Sequence, residues 1–145
     1  MRELPRQLSA DELAELFEGR TRFVERLADV ENPLEAAAEL IAEVPEDELV
    51  EALAAHPQIG ATHLSERSAS EQGAHADPTI ETELAYLNQV YEEKFGFRFV
   101  VFVNRRPKNE ILDILRARLE RDRDEEVRTA TTELVAIARD RWANA

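Results

Sequence analysis

Apolar residues recur at helical spacing along most of this chain, and only one stretch breaks the rhythm. Ser9, with Glu12 three residues on, has the form of a capping box, and Leu13, Leu16 and Phe17 follow as one apolar face. Gly19 is expected to end that helix, and Phe23, Val24 and Leu27 mark a second. Asn32 followed by Pro33 reads as an N-cap with proline at the first helical position. It opens an alanine-rich segment to Val44 that carries Leu34, Ala37, Ala38, Leu40 and Ile41. A fourth helix is expected from about Pro45, with Leu49, Leu53 and Ala54 inward. It should stop at His56, because Pro57 disfavours helical dihedrals in the residue before it.

Periodicity resumes from Pro78 to Phe95 through Ile80, Leu84, Leu87, Val90 and Tyr91, and Gly96 ends it. Pro107 starts another helix through Ile111, Leu112, Leu115 and Leu119, and Asp124 is the expected cap of a last one through Val127, Leu134, Ile137 and Trp142. Between these lies Phe97 to Val103, FRFVVFV, the strongest strand-forming run in the chain. No second run with hairpin signals exists to pair with it, so it reads as a buried extended segment crossing a helical bundle. The expectation is an all-α fold, one domain over residues 1–145, with about seven or eight helices and that single extended crossing.

Charge narrows the partners. Lys and Arg number 18 against 31 Asp and Glu, a formal net charge of −13. Nucleic acid is a poor partner for such a chain, since phosphate binding needs clustered positive charge. An anionic small molecule would have to be held by local donors against the overall field. Among the basic residues only Lys94 and Lys108 are lysines. With no cysteine, disulfides, thiolate metal sites and cysteine nucleophiles are all excluded. No stretch approaches the length of an apolar membrane span, and Met1 to Ala10 lacks the form of a secretory signal, so a cytoplasmic protein is expected.

Candidate chemistry concentrates between Pro57 and Ala76, where the chain turns polar around Gly60 and Gly73; His63 and His75 lie in it and His56 borders it. His56 closes a helix, where the dipole favours the protonated ring and is expected to raise its pKa above about 6.5. It reads either as a general acid or base or as a plain helix-ending cation. Ser68 with Glu71 is a second capping-box pattern. A helix beginning there would also present N–H groups and a hydroxyl to an anion, with Glu71 and Gln72 beside them. The three histidines lack the H-E-x-x-H arrangement, and no metal site is expected. Phe95, Phe97, Phe99 and Phe102 could wall a pocket for a flat ring or simply fill the core.

Taken in order, L-x-x-H-P-x-I-G (Leu53 to Gly60), S-x-x-E-Q (Ser68 to Gln72), L-N-x-x-Y-x-x-K-F-G-F-x-F-V (Leu87 to Val100) and I-L-x-x-L-x-x-R-L (Ile111 to Leu119) resemble the 2-oxo-4-hydroxy-4-carboxy-5-ureidoimidazoline (OHCU) decarboxylase family. The early F-x-x-R-x-R-F-V, Phe17 to Val24, falls where that family has a comparable aromatic motif. The resemblance implies an all-α fold peculiar to the family, no cofactor, and frequently a homodimer. It implies decarboxylation of OHCU to (S)-allantoin in urate degradation. By position, His56 matches the catalytic histidine, and Glu71 would join it in the active site. Pro57, Ser68, Gln72, Phe99 and Val101 match substrate-binding or pocket-lining places. One position departs: where members carry an arginine after F-V-x-x-x, this chain has Asn104, followed by Arg105 and Arg106. Asparagine cannot make the forked contact that arginine makes with a carboxylate. Either Arg105 reaches in or binding is reorganised around Asn104. Two other readings stand beside decarboxylation: a diverged member that binds a ureido or purine-like ligand without turnover, and a helical module that binds a basic protein.

Overall fold

The computed structural model describes residues 3–56 and 78–144 and, among them, seven helices and no strand. They are α1 (Ala10–Phe17), α2 (Arg22–Ala28), α3 (Pro33–Glu43), α4 (Glu46–Ala55), α5 (Pro78–Phe95), α6 (Lys108–Leu119) and α7 (Arg123–Ala143). The architecture is all-α, as the periodicity predicts, and none of the described helices is long and apolar enough to cross a membrane.

Local chemistry sets the helix boundaries, with some departures from expectation. Ser9 caps α1 in a complete capping box with Glu12, and Thr21 caps α2 by accepting from the Val24 N–H. Asn32 precedes Pro33 as expected, but it sits at φ 51 and its side chain makes no cap bond. Glu18, rather than Gly19, takes the left-handed position after α1, at φ 58. Asp122, two residues before the expected Asp124, is the N-cap of α7, so the acidic residues at 124–126 lie in its first turn and oppose the positive end of the dipole. Ala54 is exposed and Ala52 takes the inward place on α4.

The C-terminal helix is the hub of the packing. α7 lies against α1, α3 and α4; α2 joins α1, α3 and α4; α5 and α6 pair with one another. The core runs continuously from Leu8 and Leu13 through Leu53, Phe99 and Ile111 to Ala138. Arg26 binds Glu48 with both nitrogen-to-oxygen contacts short, 2.6 and 2.8 Å, and so ties α2 to α4.

Residues 97–103 form neither helix nor strand and are buried, apart from the half-buried Arg98 and Phe102. An extended segment without a partner strand must satisfy its peptide groups otherwise. Side chains do this: Arg118 Nη1 donates to the Val100 carbonyl at 2.6 Å, Glu133 accepts from the Phe102 N–H at 3.3 Å, and Arg106 turns back onto the Phe102 and Val103 carbonyls.

Candidate active site

Helix α4 ends at His56 with φ −84 and ψ 135, an extended conformation suited to the residue before Pro57. The His56 side chain is 7% exposed, and its Nδ1 is buried without a hydrogen-bond partner among the described residues. Two contacts fix the end of this helix. Arg98 Nη1 donates to the His56 carbonyl at 2.8 Å, joining the extended segment to the histidine's own backbone. On the other side, the turn between α1 and α2 presses against α4 so closely that a Cβ on Gly19 would lie 2.8 Å from Ala55 Cβ. Glycine is required there for close approach; the left-handed turn belongs to Glu18.

Arg141 completes the surroundings. Its Nη1 donates to the Leu16 carbonyl at 2.8 Å and its Nη2 lies 3.5 Å from Glu18 Oε1. Burial pulls the His56 pKa down to about 4, the Arg141 charge pushes the same way, Glu18 opposes them, and Arg98 adds a smaller downward push. This reverses the expectation of a raised pKa. A helix C-terminus favours an imidazolium by a modest amount, whereas removing the ring from water beside two guanidinium groups penalises the charged form more. At neutral pH His56 is therefore an uncharged imidazole, able to accept a proton.

The other expected residues divide into two groups. Pro57, Ser68, Glu71 and Gln72, with His63 and His75, lie outside the described residues. Of the rest, Phe99 is 1% exposed, with its ring against Tyr91 at 5.3 Å and the Arg118 guanidinium at 4.6 Å, so the ring belongs to the core. Phe95 and Phe97 pack on the same Tyr91. Val101 is likewise buried. Asn104 and Arg105 stand exposed on a tight turn, at φ 49 and 61, closed by the Arg106 N–H on the Val103 carbonyl at 2.9 Å. Among the described residues no group of three or more histidine, aspartate or glutamate side chains is arranged to hold a metal ion.

Glu18, Arg98 and Arg141 went unnoticed in the sequence. Arg141 had a signal: it falls three, four and seven residues after Ala138, Ile137 and Leu134, on the apolar face of its helix.

A family model described as OHCU decarboxylase matches residues 2–143. The chain belongs to the OHCU decarboxylase family. Its relatives include the uric acid degradation bifunctional protein PucL of Bacillus subtilis, 28% identical over 99% of this chain and 31% of that protein. The 2-oxo-4-hydroxy-4-carboxy-5-ureidoimidazoline decarboxylase of Halalkalicoccus jeotgali is 27% identical over 82% of this chain and 70% of its own length. This chain thus spans about a third of the bifunctional PucL and more than two thirds of the Halalkalicoccus jeotgali relative. A crystal structure of OHCU decarboxylase in the presence of (S)-allantoin superposes with a TM-score of 0.74 at 26% identity, covering 90% of this chain and 94% of that one. A structure of (S)-allantoin synthase, 21% identical with a TM-score of 0.68 over 93% of this chain and 48% of that one, shares the fold. Members of the family thus share this all-helical arrangement.

Proposed function

We propose that this chain decarboxylates OHCU to (S)-allantoin as a cofactor-independent carboxy-lyase, with His56 as its proton-transfer group. Membership of the family over nearly the whole chain supports the reaction. The observation that carries the role of His56 is its buried, uncharged ring, anchored at the end of α4 with Nδ1 unbonded among the described residues. In the reaction the bond between C4 and the carboxylate breaks, its electron pair moves into the ring, and CO2 departs. His56 accepts the C4 hydroxyl proton as the ring carbonyl forms and returns it to the neighbouring carbon; solvent supplies the proton that replaces the lost negative charge. A ring of low pKa is the weaker acceptor of that proton and the readier donor of it; acid and base help of this kind is worth roughly 10² to 10⁴-fold where the pKa lies near the working pH.

In this reading Glu71 works beside His56, with Pro57, Ser68 and Gln72 around the substrate. The segment carrying Phe99 and Val101 forms a wall behind it, and Asn104 or Arg105 stands at its rim. The substrate is a small molecule, with neither nucleic acid nor membrane as partner, and the chain acts as a cytoplasmic homodimer. The test generates OHCU in place with urate oxidase and hydroxyisourate hydrolase and follows the optical activity of the allantoin formed. The wild-type chain should speed the appearance of one enantiomer, and folded His56→Ala should not. An unchanged racemic background with the wild type would discard the activity, and near-normal turnover by His56→Ala would discard the assignment of the base.

A further inference from the structure

The reaction proposed above takes an anionic substrate, yet the chain that must capture it carries a formal charge of −13. The overall field opposes entry, so local donors have to hold the carboxylate, and a guanidinium is the strongest of them. Two described guanidinium groups act on the His56 ring, Arg141 and Arg98. Arg141 is closed off: its side chain is 1% exposed, and it is held by the Leu16 carbonyl and by Glu18. Its charge is largely answered inside the fold.

Arg98 differs. Its side chain is 39% exposed, its pairing with Glu92 is loose at 3.6 Å through Nε, and Nη2 makes no hydrogen bond to any described residue. Meanwhile Nη1 is fixed on the His56 carbonyl at 2.8 Å, which sets the planar fork beside the proposed base. A guanidinium anchored through one nitrogen on the backbone of His56, partly exposed and with another nitrogen unbonded among the described residues, suits a carboxylate. Asn104 and Arg105, by contrast, lie exposed on the turn beyond the segment.

We infer that Arg98 binds the substrate carboxylate and thereby selects the anion; this rests on the functional reading given above. A contact of this kind forms with the bound substrate and changes little until the carboxylate has left. It therefore lowers KM without raising kcat.

The experiment compares wild type, Arg98→Gln and Arg98→Lys on OHCU generated in place, and measures in parallel the affinity for (S)-allantoin, which has no carboxylate. Glutamine ends about where Arg98 Nε lies and removes both the charge and the bond to the His56 carbonyl, whereas lysine reaches one atom further and keeps the charge. Arg98→Gln should raise KM about 10 to 100-fold, the size of one charge-assisted hydrogen bond, with kcat within about threefold and allantoin affinity unchanged. Arg98→Lys should fall between the two. A KM for Arg98→Gln within about twofold of wild type would overturn the assignment. So would a fall in kcat at constant KM, which marks positioning of His56, or a parallel loss of allantoin affinity, which marks a structural role. A wild-type chain that leaves OHCU decay unaltered would remove the functional reading and this one with it. An active wild type with an insensitive Arg98 would remove this one alone.

Discussion

Arg118 Nε lies 2.7 Å from Glu126 Oε1, and both side chains are withdrawn from solvent. Around this pair the Tyr91 hydroxyl donates to the same carboxylate at 2.6 Å, Arg121 approaches its other oxygen at 3.3 Å, and Arg118 Nη1 holds the Val100 carbonyl. The cluster ties α5, α6, α7 and the extended segment together. Burial and the bond to Glu126 push the Tyr91 hydroxyl well above its ordinary pKa, so it remains a donor.

Breaking that pair from one side leaves a buried charge unanswered. Arg118→Met should cost about 3–5 kcal/mol in a urea melt, and Tyr91→Phe about 1.5–3 kcal/mol. Replacing both members, Arg118→Met with Glu126→Leu, should restore a large part of the loss. A double variant as unstable as the single one would show that the pair itself, rather than its rupture, is what the fold needs.

His56 makes stability depend on pH in a defined window. Its folded pKa of about 4 lies below the unfolded value near 6.5, so the unfolded chain takes up the proton first as pH falls. The neutral ring's contribution is fully present above about pH 6.5 and is lost progressively down to about pH 4, a total of roughly 3 kcal/mol. His56→Gln lacks that slope, so the difference between the two stability profiles across this window isolates it. Parallel profiles would mean the ring is not buried uncharged.

Activity should follow the same group with its own sign. If His56 accepts a proton, kcat/KM is flat near neutrality and falls only as pH drops towards about 4, where the free protein's imidazole becomes charged. A fall centred near pH 6.5 would indicate a solvated ring.

Gly19 offers a test of how α4 is held. In Gly19→Ala the new methyl meets Ala55 Cβ at 2.8 Å, and the resulting overpacking should cost about 1–3 kcal/mol. Pairing it with Ala55→Gly removes the opposing methyl, and thermal melts should show the double variant more stable than Gly19→Ala. If Gly19→Ala alone melts like the wild type, the turn and α4 have room to part.

Much of this was legible in the chain itself. The helices followed from the spacing of Leu13, Leu16 and Phe17 and its counterparts, and the end of α4 at His56 followed from Pro57. The solitary extended run was legible too, from its β-branched and aromatic density without a partner. The electrical state of His56 was not, because a local rule about helix ends says nothing of which distant side chains close over the ring. Arg141 and Glu18, whose charges act on the ring from α7 and the turn after α1, stand more than a hundred residues apart. Burial of Phe99 was also undecided by pattern, since a ring facing a ligand and a ring facing Tyr91 have the same spacing.

Helices α1, α3 and α4 have no basic residue in their last turns, and each receives a guanidinium from far along the chain: Arg141 on Leu16, Arg128 on Ile41, Arg98 at His56. Two of these arginines belong to the final helix, 125 and 87 residues from the carbonyls they meet. During synthesis α1 and α3 must therefore wait, with open ends and a half-built core, until α7 has left the ribosome. The step that completes α1 and α3 is the docking of a helix made long after them.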